Sequence, residues 1–372
     1  MDAIDTATRA IDELTTERGD LVDLQRRIIG QLRTLIPFDW YGWVTTDPAT
    51  TVGALSLGEL PEGVDLAEST RLRYLTPVTR WTAIPQGEAR RLMASTGDHP
   101  EASAQWRDLL SRFHVRDQLS IVFADNRGTW GFLELFRQGI DFTAAEQALA
   151  ASFSAQVVAM IRRIHGESFR FGVTTPHVYP EVSHNENATY LRYSSSLEYL
   201  GASGGHERWM QVAAPGEAGR ALVADAGMHA AAQLLARDAR VDNHPASTRV
   251  HVGDGEWAEL EATWAGESDD GSRDILVTMR SATPDERLDL IVATFGLSAR
   301  EREIIRRAVL GDDQRAIARA IGISEHTVKD HSAHIMQRMG TGSRAEVVAM
   351  VLGKWASEAE RRRNQQLGGF SI

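Results

Sequence analysis

A chain of 372 residues with 42% apolar side chains is long enough for two or three domains with cores of their own. It has no cysteine, which excludes disulfides and cysteine-ligated metals and fits a reducing cytoplasm. The net charge of −11 is unevenly divided, because residues 286–372 carry 14 basic against 11 acidic side chains. An acidic body with a mildly basic end is typical of a protein that contacts a polyanion at that end.

The N-terminal segment predicts helix over residues 2–35, interrupted near Gly19. Apolar residues recur every seven positions, at Leu14, Leu21, Ile28 and Leu35. Such a stripe either forms a dimer seam or packs on its own domain, and the sequence favours the second interpretation. No signal-peptide core and no run of about 18 apolar residues is found, so we expect no membrane span.

Elements of mixed type follow. We predict a strand at 40–46, helices over 65–113, strands at 118–124 and 129–137, and a strong helix at 143–165. The turn-rich residues 125–128 join the two later strands as a hairpin.

Two stretches of this region carry a family resemblance. PFDWYGWVTTDP near its start and GTWGFLELFRQGIDFTAAEQALAASFSAQV near its end resemble the GAF portion of LuxR-type regulators that contain a GAF domain. The resemblance implies a GAF-like α/β/α sensory domain over residues 1–165. It implies a small antiparallel sheet with helices on its faces, often a dimer, and in some members a ligand in the cup of the sheet.

Aromatic residues are concentrated in the same region. They are candidates for an apolar pocket that binds a small apolar or aromatic ligand. Core packing is the competing interpretation, and the alternation along the strands favours it. The candidate ligand-binding residues are Trp40, Tyr41, Trp43, Trp81, Trp106 and Trp130.

Residues 166–215 read as a linker or irregular segment with some helix around 191–200. A short strand at 221–226 and a helix at 228–236 are predicted next. Strands are then expected at about 248–252, 256–264 and 274–280, and Asp254-Gly255 is a hairpin turn signal.

This second set of strands resembles the small antiparallel sheet of a PAS-like domain, placed at residues 216–282. The stretch 283–296 is expected to be a hinge, and residues 356–372 a polar tail. The predicted fold class is therefore a multidomain α+β protein that ends in an all-α module at 297–355.

Four helices are predicted in that module. Ser298 with Glu301, and Ser343 with Glu346, form Ser-x-x-Glu capping boxes that open the first and last helix. Asp313 and Ser324 cap the two helices between them. Gly311, Gly322 and Gly340 end the first three. Two helices joined by a short turn with glycine form a helix-turn-helix unit.

The third of these helices has two unlike sides. Advancing about 100° per residue places an apolar stripe toward the core, formed by Val328, Ser332, Ile335 and Met339. The opposite side carries His326, Asp330, Ala333 and Gln337, flanked by Lys329 and His334. Short or polar side chains on an outward face suit the major groove of DNA.

The segment ISEHTVKDHSAHIMQRMG resembles the recognition helix of LuxR/FixJ-type transcription regulators, whose pattern is roughly ISxxTVKxHxxxIxxKLG. SAREREI and SRAE resemble the family's flanking motifs. The resemblance implies base contacts at Lys329, Asp330 and Ala333, and phosphate contacts or helix bracing at Thr327, His331 and either Arg338 or Arg344. Gln314 and Arg315 replace the family's usual Asn-Lys, which leaves the target sequence open. The candidate DNA-binding set is Ser324, His326, Thr327, Lys329, Asp330, His331, Ala333, His334, Arg338 and Arg344.

Base chemistry suggests a readout. Lys329 can donate to guanine O6 or N7, Asp330 can accept from cytosine N4, and Ala333 can touch a thymine methyl group. The chain holds only two lysines, Lys329 and Lys354, against 38 arginines. That ratio suggests a GC-rich genome, such as an actinobacterial one.

The leading hypothesis is a cytoplasmic, dimeric regulator that binds double-stranded DNA and is controlled by a small ligand or partner, with RNA polymerase as a further partner. The alternative is a ligand-independent dimeric regulator whose sensory-like folds serve only as a protein-interaction scaffold. An enzyme is not expected, because no nucleophile–base arrangement is recognisable, and neither a cofactor nor a metal is expected.

Overall fold

The structure is a computed structural model that describes residues 3–171, 189–202, 217–253, 255–267 and 273–353. The chain forms two compact units. The first, here the two-sheet unit, comprises residues 1–164, 185–250 and 259–280. The second, here the helical unit, comprises residues 165–184, 251–258 and 281–372.

The first sheet is antiparallel, with strand order β2-β1-β5-β4-β3. Its strands are β1 Trp40–Thr46, β2 Gly53–Glu59, β3 Ala89–Arg91, β4 Val115–Asp125 and β5 Gly128–Gln138. The predicted strands correspond to β1, β4 and β5. The sequence missed β2, whose Gly53 and Gly58 are unusual in strands, and the short β3.

Eight described α-helices accompany the two sheets, and the seventh continues past residue 164 into the helical unit. They are α1 Ala3–Thr16, α2 Leu21–Leu35, α3 Leu66–Leu75, α4 Leu92–Thr96, α5 Ala104–Asp108, α6 Ala144–Ser152, α7 Ser154–Phe171 and α8 Glu217–Asp238. The interruption predicted near Gly19 is present between α1 and α2. The predicted helix at 143–165 is divided in two at Phe153. The region 65–113 is helical only in short pieces.

One face of the first sheet carries the apolar side of α1, α2, α6 and α7. Trp43, Ile121 and Leu133 lie side by side across three strands and meet Ile28 of α2 and Val157 of α7. Leu14 and Ile28 of the seven-residue stripe are buried in this core, and the turn at 17–20 puts them on different helices. The stripe therefore packs at least partly within its own unit.

The opposite face is covered by α3, by the segment around Trp81 and by α8. Trp81 stacks on Phe132 of β5 at 4.4 Å between ring centroids. Tyr74 of α3 contacts Trp81 edge-on, and its hydroxyl accepts a hydrogen bond from Gly53 N at 3.0 Å. Helix α8 comes much later in the chain, yet it packs against α3 and β2, where the ring of His229 contacts Tyr74.

The second sheet has the order β7-β6-β10-β9-β8, the same connectivity as the first. Its strands are β6 Thr189–Tyr193, β7 Tyr199–Ala202, β8 Ser247–Gly253, β9 Glu256–Glu267 and β10 Arg273–Ser281. The last three confirm the predicted strands.

Two predictions in this region were wrong. Residues 191–200 are not helical but form the β6–β7 hairpin, because Thr189, Leu191 and Tyr193 alternate inward with a period of two. Residues 221–226 are not a strand but belong to α8. That apolar run continues into an alanine-rich stretch, and alanine favours helix more than any other residue.

The helical unit contains five further helices. They are α9 Pro284–Phe295, α10 Ala299–Val309, α11 Gln314–Ile321, α12 Glu325–Met339 and α13 Arg344–Leu352. The last four confirm the predicted module. The segment expected to be a hinge is the regular helix α9, and its Leu288 and Ile291 are buried in the same core as α10 to α13.

One described stretch, residues 144–169, is long and apolar enough to span a membrane by length and composition alone. Its Phe153, Val157, Met160 and Ile161 are buried in the protein. Core helices of globular proteins pass the same test, so this is weak evidence for a membrane.

Candidate DNA-binding surface

Local signals set the ends of the helices around α12. Ser298 and Glu301 exchange their capping bonds at the start of α10, with Ser298 N donating to Glu301 Oε2 at 2.7 Å. Ser324 caps α12 by accepting from Thr327 N at 3.0 Å. Gly322 and Gly340 adopt positive φ angles of 71° and 62°, which glycine accepts without strain. The turn before α12 and its end are therefore both fixed by the sequence.

The inner side of α12 is apolar. Val328, Ile335 and Met339 are buried against Ile317 of α11 and Val347 of α13. Ser332 lies half-buried on the same side and donates back to Val328 O at 2.8 Å. This packing fixes the rotation of α12 about its axis, and with it the identity of the outward residues.

The outer side of α12 is open to solvent, and its side chains are among the most exposed of the helical unit. The side chain of His326 is 84% exposed and that of Asp330 is 66% exposed, and the two lie 3.7 Å apart. Lys329, Ala333 and Gln337 are exposed beside them. The face available for contact therefore has a short side chain, Ala333, at its centre and polar side chains around it.

Three predicted residues hold the unit together rather than standing free. His334 Nδ1 lies 2.5 Å from Glu301 Oε1, and Arg338 donates to Gly296 O and to His334 Nε2. Arg344 donates to Asp312 O. These bonds tie α12 and α13 to the start and end of α10, so Arg338 and Arg344 are engaged within the domain.

Glu301 is the buried end of this network. Burial acts to raise its pKa, but the bonds from Ser298 and His334 outweigh burial and lower the pKa below its usual value. The carboxylate therefore stays charged and continues to hold His334.

The remaining predicted contacts lie in the first half of α12. Thr327 and His331 are half-buried, and Thr327 Oγ1 is 2.8 Å from Ser324 Oγ. Gln314 donates to Glu325 O at 2.7 Å, which joins α11 to the first turn of α12.

Residues 296–351 match the family model described as bacterial regulatory proteins of the luxR family. They form a LuxR-type helix-turn-helix domain. The match agrees with the caps, the turn and the two-sided helix described above, and it confirms the predicted resemblance for this part of the chain.

A curated relative is an HTH-type transcriptional regulator from the exeN 3′ region of Aeromonas salmonicida. It is 34% identical over 85 residues, which are 21% of this chain and 43% of the relative. The chain therefore matches less than half the length of that curated relative.

Three solved structures were also matched, each at low identity. Escherichia coli SdiA is 13% identical over 95% of this chain and 98% of its own, with a TM-score of 0.31. The bacteriophytochrome RpBphP3 of R. palustris is 10% identical over 76% and 63%, with a TM-score of 0.32. Vibrio cholerae VqmA is 16% identical over 46% and 84%, with a TM-score of 0.17. Likeness this remote does not extend the assignment beyond the LuxR-type domain.

Sequence reasoning missed Arg287, which joins α9 to this domain. Its guanidinium is buried and donates to Val351 O at 3.0 Å and to Met350 O at 2.9 Å, at the end of α13. It also donates to Gly255 O at 2.8 Å. The sequence did contain a signal for the helix that carries Arg287, because Thr283 and Glu286 form a capping box and Pro284 occupies the first helical position.

The aromatic residues proposed for a ligand pocket are divided between the two faces of the first sheet. Tyr41 and Trp43 lie on the face of α2, whereas Trp81 stacks on the other face. Trp40 and Trp106 pack around Phe136. Trp130 is fully buried and donates to Asp125 Oδ1 at 3.0 Å. The structure does not bring the six together.

The cavity beside Trp43, under α1 and α2, is about 10 Å³, which is room for about one water molecule and not for a larger ligand. In the described part of the chain no three His, Asp or Glu side chains converge as a metal would require. One Ser–His–Asp contact exists, but Ser56 Oγ and Asp225 both approach Nε2 of His229, at 2.8 and 3.5 Å. A catalytic triad needs its carboxylate on Nδ1, so this contact does not form one.

Proposed function

We propose that the protein is a dimeric, sequence-specific transcription regulator whose LuxR-type domain places α12 in the major groove of DNA. The observation that carries the proposal is the outward face of His326, Lys329, Asp330 and Ala333. Neighbouring helices leave this face open while they hold the rest of α12 rigid. A face held in this way can contact base edges in the groove without any rearrangement of the domain.

Lys329, Asp330 and Ala333 supply the proposed base contacts, to guanine, cytosine and a thymine methyl group. Ser324 and Thr327 lie at the start of α12, where side chains and helix N–H groups reach phosphates, and His331 lies one turn further along the helix. His334, Arg338 and Arg344 act first as braces, since each already bonds within the domain.

Dimerisation supports binding because the charge of the DNA-binding end is only modest. Residues 286–372 have 14 basic against 11 acidic side chains, and a second copy doubles both the basic surface and the number of half-sites. A regulator of this kind works in the cytoplasm and meets RNA polymerase there.

The two-sheet unit would supply control by a ligand or partner. Its first sheet supports a GAF-like domain at 1–165. Its second sheet supports a PAS-like domain that begins before the predicted residue 216, because β6 and β7 of the predicted linker are two of its strands. The alternative, a scaffold that senses no ligand, is favoured by the tight packing around Trp43. Control by a ligand requires that the ligand bind two conformations of the protein with different affinities.

The test is selection of genomic fragments by the full-length protein, followed by affinity measurements on the enriched sequence. Lys329→Ala should weaken that complex by about 1–3 kcal/mol and relax the preference at one base pair. Arg302→Gln is the matched control, because it removes one positive charge from α10, where Arg302 pairs with Asp289. Equal effects of the two substitutions would remove Lys329 from the readout.

A further inference from the structure

A cleft of about 470 Å³ opens between α2 and the paired strands β1 and β2. Its volume falls in the range of about 300–1,000 Å³ that is typical of small-molecule sites. Apolar and cationic side chains share its lining, which consists of Arg26, Ile29, Gly30, Arg33, Tyr41, Leu57, Gly58 and Glu59.

The charged groups of the cleft leave a net positive charge. Arg33 Nη2 is paired with Glu59 Oε2 at 2.7 Å, and its guanidinium lies 4.7 Å from the ring of Phe38. Arg33 Nε is buried and has no hydrogen-bond partner among the described residues. Arg26 lies two turns earlier on the same side of α2 and makes no ion pair with a described residue. One cationic group is thus left over for an anion.

Tyr41 adds a polar group at the wall. Its side chain lies in the core, with only 3% of the residue exposed, and no described residue forms a hydrogen bond with its hydroxyl. Burial is the main reason that its pKa lies above the usual value, so the phenol stays a neutral donor. The hydroxyl is not fully enclosed, so it can donate to an acceptor that enters the cleft.

Gly30 keeps the cleft open. It lies inside α2, where glycine is about 1 kcal/mol less favourable than alanine. A Cβ added at Gly30 would meet nothing within 4 Å, so neighbouring atoms do not require glycine there. What the missing side chain provides is free space at the mouth, between Arg26 and Arg33.

We propose that this cleft binds a small monoanionic amphipathic acid. Its carboxylate would lie between Arg26, Arg33 and the hydroxyl of Tyr41, and its flat aromatic or short aliphatic body would lie on Ile29 and Leu57. The inference rests on the proposed function in one respect, that the bound acid would be the ligand that controls the regulator. The binding itself depends on the cleft alone.

Calorimetric titration of the full-length protein tests the site with two probes, naphthalene-2-carboxylate and octanoate. 2-Naphthamide serves as the neutral analogue of the first. The better probe should bind wild type, lose about tenfold or more in affinity with Arg26→Gln, and lose measurable binding with Gly30→Leu. Leucine is a strong helix former, so unchanged circular dichroism should accompany Gly30→Leu.

Arg27→Gln is the matched control. Arg27 follows Arg26 on α2, but it pairs with Glu17 at 2.7 Å and does not line the cleft, so its variant should keep wild-type affinity. The proposal fails if neither probe binds at millimolar concentration, if the amide binds as well as the acid, or if all variants bind alike. It also fails if Gly30→Leu changes the oligomeric state by light scattering without any acid binding, because the cleft is then a subunit surface.

Genomic DNA selection with the same proteins separates this inference from the proposed function. DNA binding by a protein that takes up no acid would overturn the site and leave the regulator intact. Acid binding that responds to Arg26→Gln and Gly30→Leu, in a protein that selects no DNA, would keep the site and overturn the regulator.

Discussion

The two units of this protein are held together by different kinds of contact. In the helical unit, most polar bonds close within a turn or between neighbouring helices, as with Ser298 and Glu301. In the two-sheet unit, buried ion pairs join residues far apart in sequence. Asp47 accepts from Arg249, 202 residues away, at 2.5 and 2.7 Å.

A second long-range contact has the same character. Arg80 donates to Asp242 Oδ2 at 3.0 Å and to Gln233 Oε1 at 3.1 Å. Both guanidinium groups are buried, so each depends on its partner for the stability of its charge. The helical unit should therefore lose stability in small steps, whereas the two-sheet unit should depend strongly on single pairs.

Arg249→Met should show the largest effect. It leaves Asp47 as an unpaired buried charge and should lower the free energy of unfolding by about 3–5 kcal/mol in denaturant titrations. Asp47→Leu combined with Arg249→Met should recover much of the loss. Arg116→Met, which breaks the exposed pair with Asp141, is the control and should lose at most about 1 kcal/mol. Equal losses for Arg249→Met and Arg116→Met would contradict the contrast.

Arg287→Met tests a long-range buried contact in the helical unit, of the kind that joins the two-sheet unit. It removes the donors for Met350 O and Val351 O, so we expect a loss of about 1.5–3 kcal/mol in the same assay. Arg302→Met, on the exposed pair with Asp289, is the comparison. A loss no greater than that of Arg302→Met would mean that water replaces the guanidinium.

Ser298→Ala should lower stability by only about 1 kcal/mol, since it removes one cap of α10. Ser332→Ala is the control in the same domain, because its hydroxyl bonds only back to Val328 O. If Ser332→Ala is as harmful as Ser298→Ala, the capping box is not what stabilises the start of α10.

The buried side chain of His229 should make the stability of the two-sheet unit depend on pH. Complete burial, aided by nearby Arg73 and opposed by Asp225, lowers its pKa below 6.5. Below pH 6.5 the unfolded chain therefore binds a proton at His229 while the folded chain stays unprotonated there. Stability should fall as the pH decreases from that value. Denaturant titrations across pH 6.5 on wild type and His229→Asn measure it, and identical slopes would exclude His229 as the cause.

The sequence predicted the helical unit well and the two-sheet unit less well. Each helix from α10 to α13 carries its own cap and glycine signals, and Val328, Ile335 and Met339 face inward as the helical period requires. By contrast, β2 contains two glycines, and residues 221–226 look like a strand until the alanines of α8 continue them. Sequence periodicity alone does not distinguish short apolar runs of this kind.

The site shows the same division. The outward position of Lys329, Asp330 and Ala333 follows from sequence period and is seen in the structure, while their base contacts stay a prediction. The aromatic residues Trp43 and Trp81 are equally prominent in the sequence, yet they lie on opposite faces of the first sheet. Composition identified the aromatic residues but could not assign them to a face, because that depends on strand register.

The sequence by itself determined the helix-turn-helix and the side of α12 that faces outward, because caps, turn glycines and helical period act within a few residues. Only the tertiary structure decided that Arg249 would meet Asp47 and that Arg287 would hold the end of α13. It also decided that Arg26, Arg33 and Tyr41 would line one cleft. Those arrangements depend on chain segments tens to hundreds of residues apart, and local sequence pattern does not encode which distant partner a buried charge will find.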